Sequence, residues 1–135
     1  MKNVAKKGTF ALVIAFCLLL PVSALAGSYT NKYEFFGGVY SKHINIDKGK
    51  KARVTTKPTQ WAEKSRINIY LEKSTGWFDS QWKSVGNSWN YAYKTDTCSW
   101  IKAKESGKHR FYLRAAVLPN TAKEYIGTAT FEYNK

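Results

Sequence analysis

With 135 residues, 22 lysines and arginines against nine acids and a formal charge of +13, the chain has room for one domain and a surface of one dominant sign. Its 16% aromatic content excludes a disordered polycation, because such chains lack the bulky apolar side chains that build a core. Two cysteines are too few for a disulfide-stapled scaffold.

The first 26 residues read as a secretory signal peptide. Lys2, Lys6 and Lys7 precede an apolar run over residues 10–20, followed by Pro21 and the small-residue site Ala24-Leu25-Ala26. The run falls well short of the ~20 apolar residues that cross a bilayer. Cleavage is expected after Ala26, Cys17 leaves with the leader, and residues 27–135 form the secreted domain. A chain of that size buries roughly two-thirds of its unfolded surface and needs no staple. Cys98 is then the one remaining thiol, so no internal disulfide forms. Trp100 and Ile101 beside it favour burial over an intermolecular bridge, which leaves a monomer as the expectation and a Cys98-linked dimer as its alternative.

Nineteen basic residues remain against nine acids, a net charge of about +10. Such a surface attracts polyanions before contact. Solubility alone is a weaker explanation, because acidic residues serve it as well or better.

Residues 27–32 are polar and read as a frayed end. Residues 33–40 read as a first strand, with Gly37 and Gly38 marking a bulge or bend. His43-Ile44-Asn45-Ile46 continues it or begins a second strand. The turn Asp47-Lys48-Gly49-Lys50 leads into a short strand at 51–56 that Pro58 ends. Between residues 42 and 57, Lys42, Lys48, Lys50, Lys51, Arg53 and Lys57 face Asp47 alone, a local charge of +5. A lysine-rich edge that blocks sheet-to-sheet aggregation has the same composition.

The most informative stretch follows. Ile67, Ile69 and Leu71 alternate with Arg66, Asn68, Tyr70 and Glu72, the period-2 pattern of a strand with one buried and one wet face. A loop around Gly76, with Trp77 and Phe78 near its tip, returns the chain into residues 81–85 as a hairpin. Trp89, Tyr91 and Tyr93 then alternate with Ser88, Asn90, Ala92 and Lys94. Residues 98–103 read as another short strand and 105–108 as a turn. Phe111, Leu113, Ala115 and Val117 share one face of the next strand, and Gly127, Ala129, Phe131 and Tyr133 share one face of the last.

No segment places apolar residues at helical spacing over more than about one turn. Seven or eight short strands separated by turns indicate an all-β fold: a single small antiparallel β-sandwich of immunoglobulin or fibronectin style, with a small β-barrel as the alternative.

Hydrolytic chemistry has little to rest on. His43 and His109 are the histidines, and neither a Gly-x-Ser-x-Gly, a His-Glu-x-x-His nor a paired-cysteine metal spacing is present, so no cofactor or metal is expected. A dyad of Cys98 with a histidine is the residual enzymatic arrangement, disfavoured by the apolar neighbours of the thiol. His109, between Lys108 and Arg110, reads as part of a basic surface.

The expected function is therefore non-enzymatic binding of an anionic extracellular polymer or envelope surface: a wall polymer, an acidic polysaccharide or an anionic membrane, rather than a specific nucleic acid. Lys48, Lys50, Lys51, Arg53 and Lys57 would supply the field, and Trp77 and Phe78 the short-range contacts. A secreted antibacterial protein acting on target-cell envelopes and a carbohydrate-binding module with an aromatic platform are the alternatives.

Overall fold

The computed structural model describes residues 25–77 and 80–135. The expected signal peptide, but for Leu25 and Ala26, and Phe78 lie outside the described residues. In chain order the strands are β1 (Gly27–Phe35), β2 (Gly38–Tyr40), β3 (Ile44–Ile46), β4 (Lys51–Gln60), β5 (Arg66–Ser74), β6 (Trp82–Tyr91), β7 (Asp96–Thr97), β8 (Ile101–Lys102), β9 (Gly107–Ala115) and β10 (Tyr125–Tyr133).

They form two antiparallel sheets that face one another without closing into a barrel. The first has the order β1-β10-β4, with β7 and β8 both on the far edge of β4; the second has the order β6-β5-β9, with β2 and β3 both on the far edge of β9. Taking each short pair as one interrupted strand leaves eight strand positions, as the turn spacing implied. Their order, first-eighth-third-sixth over second-seventh-fourth-fifth, is the connectivity of a jelly roll. The sandwich is the one expected, while its connections differ from the immunoglobulin pattern. Chain crossings between sheets set that order, and residue alternation does not encode them.

The core fills the space between the sheets. Ile67, Ile69 and Leu71 of β5, Phe111, Leu113 and Ala115 of β9, and Tyr125, Ala129 and Phe131 of β10 all point into it, as their alternation required. Val117 lies beyond the end of β9 and is exposed.

Several boundaries move. Residues 27–32 are not frayed: β1 pairs with β10 over its whole length, Gly27 opposite Tyr133 through Phe35 opposite Tyr125. Tyr29 stacks on Phe131 with ring centroids 4.8 Å apart. A partner about a hundred residues away supplies what the polar local sequence does not. The Gly37-Gly38 pair is the crossing from one sheet to the other, since β1 belongs to the first and β2 to the second. Pro58 does not end β4, which runs on to Gln60. Proline lacks the ladder's donor, and the β4–β10 register shifts at that level, between Ile126 and Gly127, where Gly127 faces Pro58. Of the strand expected at 98–103 only Ile101–Lys102 forms, as β8; a separate short strand, β7, precedes the expected range at Asp96–Thr97, and each pairs with β4.

Candidate ligand-binding surfaces

Two surfaces concentrate the groups that bind anions and rings. The first lies where the β3–β4 turn meets the β8–β9 loop. The Lys50 amide donates to the Asp47 carbonyl at 3.0 Å, and Gly49 at φ +84° takes the positive φ that the third residue of a type II turn needs. The turn is clamped from outside: Gly49 N–H donates to the Ala103 carbonyl at 2.8 Å, Ala103 N–H to the Lys50 carbonyl at 2.8 Å, and Lys48 N–H to Ser106 Oγ at 2.7 Å. The result is a shallow hollow of about 380 Å³ lined by Lys48, Gly49, Lys102, Ala103 and Lys104. Lys51 sits directly opposite Lys102 in the ladder, so both side chains leave the same face of the sheet.

The five expected cations do not act as one group. Lys48, Lys50 and Lys51 are exposed together at this end, joined by Lys102 and Lys104, which lie too far along the chain to be grouped with them by inspection. Arg53 is engaged elsewhere: its Nε donates to Glu132 Oε1 at 2.9 Å and its guanidinium lies 4.1 Å from the Trp100 ring centroid. Lys57 is six residues from Lys51 on an extended strand, about 20 Å away.

The second surface is aromatic and was not assigned from sequence. Trp89 and Tyr91 leave the outer face of β6, and Tyr93 follows just beyond it. Their ring centroids are 5.0 Å and 5.4 Å apart, and each ring carries a cation: Arg66 at 4.1 Å from Trp89, Lys94 at 4.3 Å from Tyr91 and Lys64 at 5.1 Å from Tyr93. The alternation of Trp89, Tyr91 and Tyr93 was the signal for it; their cations come from other strands and loops. Elsewhere on the same sheet Tyr40, Tyr112 and Tyr70 stand opposite one another across three strands, and Arg110 lies over Tyr40 at 3.8 Å and Trp82 at 4.3 Å while pairing with Glu72 at 2.8 Å. That arginine is neutralised and packed.

Trp77, on the β5–β6 loop, is 99% exposed.

Cys98 is only 4% exposed. Its Sγ accepts the Val54 amide at 3.2 Å, and burial raises its thiol pKa against the opposing hydrogen bonds and the Arg53 charge. The thiolate that a nucleophile or an interchain exchange requires is disfavoured there. His109 corrects a sequence expectation: it does not extend the basic surface but is completely buried, on the same inward face of β9 as Phe111. Its Nδ1 donates to the Gly107 carbonyl at 2.8 Å, which leaves Nε2 as a bare lone pair without a hydrogen-bond partner. Among the described residues no group of three or more His, Cys, Asp or Glu side chains is placed to hold a metal.

No protein-family model matches the chain, and no curated protein matches it. Among solved structures the chain is similar to the crystal structure of PirA, with a TM-score of 0.48 and 11% identity over 78% of this chain and 93% of that one. At that level the likeness carries no functional argument, and the reading of function rests on the side chains of this chain.

Proposed function

We propose that this is a secreted, non-enzymatic jelly-roll protein that binds an anionic extracellular polymer or cell-envelope surface through the lysines around the β3–β4 turn. One observation carries the reading: Lys51 is directly opposite Lys102, with Lys48 and Lys104 held beside them by the clamped turn. Like charges directly opposite in a ladder destabilise a sheet. Among the described residues none of these four lysines forms an ion pair, so their charges are open to an anion supplied from solution. A second anchor of hydrogen bonds, from Gly49, Ala103 and Lys48, lowers the entropy lost when a ligand orders the site.

The test is binding of the purified protein to bacterial envelopes across a salt series, comparing it with Lys51→Gln/Lys102→Gln. Each lost lysine contact should flatten the slope of log affinity against log salt by about one and weaken binding at low salt. An unchanged slope would sink the assignment.

Full exposure of Trp77 favours a second reading, in which the protein is antibacterial: charge brings it to a target envelope and the indole enters the lipid interface. Dye release from anionic vesicles, abolished by Trp77→Ser, would support that reading; intact vesicles would leave passive binding. The aromatic-platform reading for neutral sugars has less support, because the faces of Trp82, Trp89 and Trp100 already carry arginines.

A further inference from the structure

On the outer face of the second sheet one row of residues crosses four strands. The ladders set Gly38 of β2 opposite Arg114 of β9, Arg114 opposite Asn68 of β5 and Asn68 opposite Trp89 of β6, so all four share one face and one level. Two neighbours lean into the row. Tyr112 lies so close over Gly38 that an added Cβ there would meet its hydroxyl at 2.8 Å, which brings the phenol beside Arg114. Arg66, two residues from Asn68 on β5, carries its guanidinium to 4.1 Å from the Trp89 ring centroid. Over roughly 14 Å the row therefore presents a phenol, a guanidinium, a carboxamide and a second guanidinium.

These groups are not used by the fold. Among the described residues the side chains of Arg66, Asn68, Tyr112 and Arg114 make no hydrogen bond, and neither arginine has an ion pair. Glu72 is the acid that these strands place on the same face, and it pairs with Arg110 at 2.8 Å, four residues and about 13 Å along β9 from Arg114. One strand thus carries a neutralised arginine and an open one. Edge protection does not account for the open pair, because β9 and β5 are the inner strands of this sheet.

Arg114 and Arg66 are diagonal neighbours on adjacent strands, with α-carbons about 7–8 Å apart, so both guanidiniums can reach one anion. A phosphate monoester fits what they leave open. It carries close to two negative charges at neutral pH, and its oxygens take the parallel N–H bonds of an arginine fork; a carboxylate brings one charge. The neutral amide and phenol match hydroxyl groups, which a sugar places beside its phosphate and an alkyl phosphate does not. We propose that the Tyr112-Arg114-Asn68-Arg66 row is a binding site for a sugar phosphate. The Trp89 ring serves to hold Arg66 in place, and no ring face is needed for the ligand. The site is separate from the lysine hollow, since Arg114 is seven residues, about 23 Å, from Gly107 at the β8–β9 loop.

Calorimetry of the purified protein at constant ionic strength, with glucose 1-phosphate, glucose 6-sulfate and glucuronate, tests this. At about pH 7.5 the phosphate should bind about tenfold tighter than the other two. At about pH 5 the phosphate takes up its second proton and should lose that margin, while the sulfate is unchanged. The described histidines lie away from the row, His109 in the core and His43 against Trp82, so the change reports on the ligand. Arg114→Lys, which keeps the charge and removes the fork, and Asn68→Ala should each weaken glucose 1-phosphate about tenfold. Tyr112→Phe should weaken glucose 1-phosphate and leave inorganic phosphate unchanged, and Lys51→Gln/Lys102→Gln should leave both unchanged. Equal affinities for phosphate and sulfate at both pH values, binding that survives Arg114→Lys and Asn68→Ala, or binding lost with the lysine pair would overturn the site. So would no binding of glucose 1-phosphate.

Discussion

His109 shows how one side chain can carry a measurable consequence in a protein dominated by lysine. Burial lowers its pKa from 6.5; the hydrogen bond to the Gly107 carbonyl opposes that, the Lys73 charge adds to it and the Glu105 charge again opposes. The folded state thus holds a neutral imidazole. The unfolded chain takes up the proton near 6.5 and the folded chain only at lower pH, so between those values the unfolded state binds more protons. The stabilisation is fully present above about pH 6.5 and is lost as pH falls below it. Urea midpoints at about pH 7.5 and about pH 5 should therefore fall more in the wild type than in His109→Leu, which has no imidazole to protonate. Equal drops in the two proteins would assign the acid sensitivity to other groups. The histidine was misread from sequence because flanking Lys108 and Arg110 describe the outer face of β9, whereas strand parity puts position 109 on the inner face with Phe111 and Leu113.

At the scale of elements, a buried amide fastens the two sheets. Asn90 of β6 directs its Nδ2 to the Val54 carbonyl at 3.1 Å, to Thr56 Oγ1 at 3.0 Å and to the Asp96 carbonyl at 3.0 Å, linking the second sheet to β4 and β7 of the first. Buried polar groups that lose a partner cost about 1–3 kcal/mol. Asn90→Ala should destabilise the protein by about that much in urea unfolding. It should also loosen the β6–β7 crossing, read as faster amide exchange at Tyr91 and Thr97, whose N–H groups Asp96 holds. A loss of stability without faster exchange at those two amides would mean that the asparagine serves only the core. The alternation of Ser88, Asn90 and Ala92 against Trp89, Tyr91 and Tyr93 was legible in the chain. That Asn90 takes the inward side and reaches across to another sheet was not, because its partners lie up to 36 residues away.

For the whole molecule the governing quantity is charge. Residues 27–135 carry 19 basic residues against nine acids, a net charge of about +10 that repels itself in the compact state, and Lys51 opposite Lys102 concentrates part of that repulsion at one end. Thermal stability should therefore rise as salt increases from about 0.01 M to about 0.15 M, over which the screening length falls from about 30 Å to about 8 Å. A midpoint that is flat across this range would mean that ion pairs such as Arg53 with Glu132, Arg110 with Glu72 and Lys73 with Glu105 already offset the excess. The same addition of salt should weaken ligand binding, so stability and affinity are expected to move in opposite directions.

Alternation by itself determined β5, β9 and β10 and the apolar face of each that turns inward, because side-chain parity is a local property of extended chain. Composition by itself determined the sign of the surface. The jelly-roll order, the pairing of residues 27–35 with the last strand and the grouping of Lys48 with Lys102 and Lys104 were decided by tertiary structure alone. Each of these joins residues dozens of positions apart, and nothing in a local window records which distant strand will supply the hydrogen bonds. The cations on Trp89, Tyr91 and Tyr93 follow the same rule: the rings could be read in one strand, but Arg66 and Lys64 arrive from β5 and the loop before it, so ring and charge meet only when β5 pairs with β6.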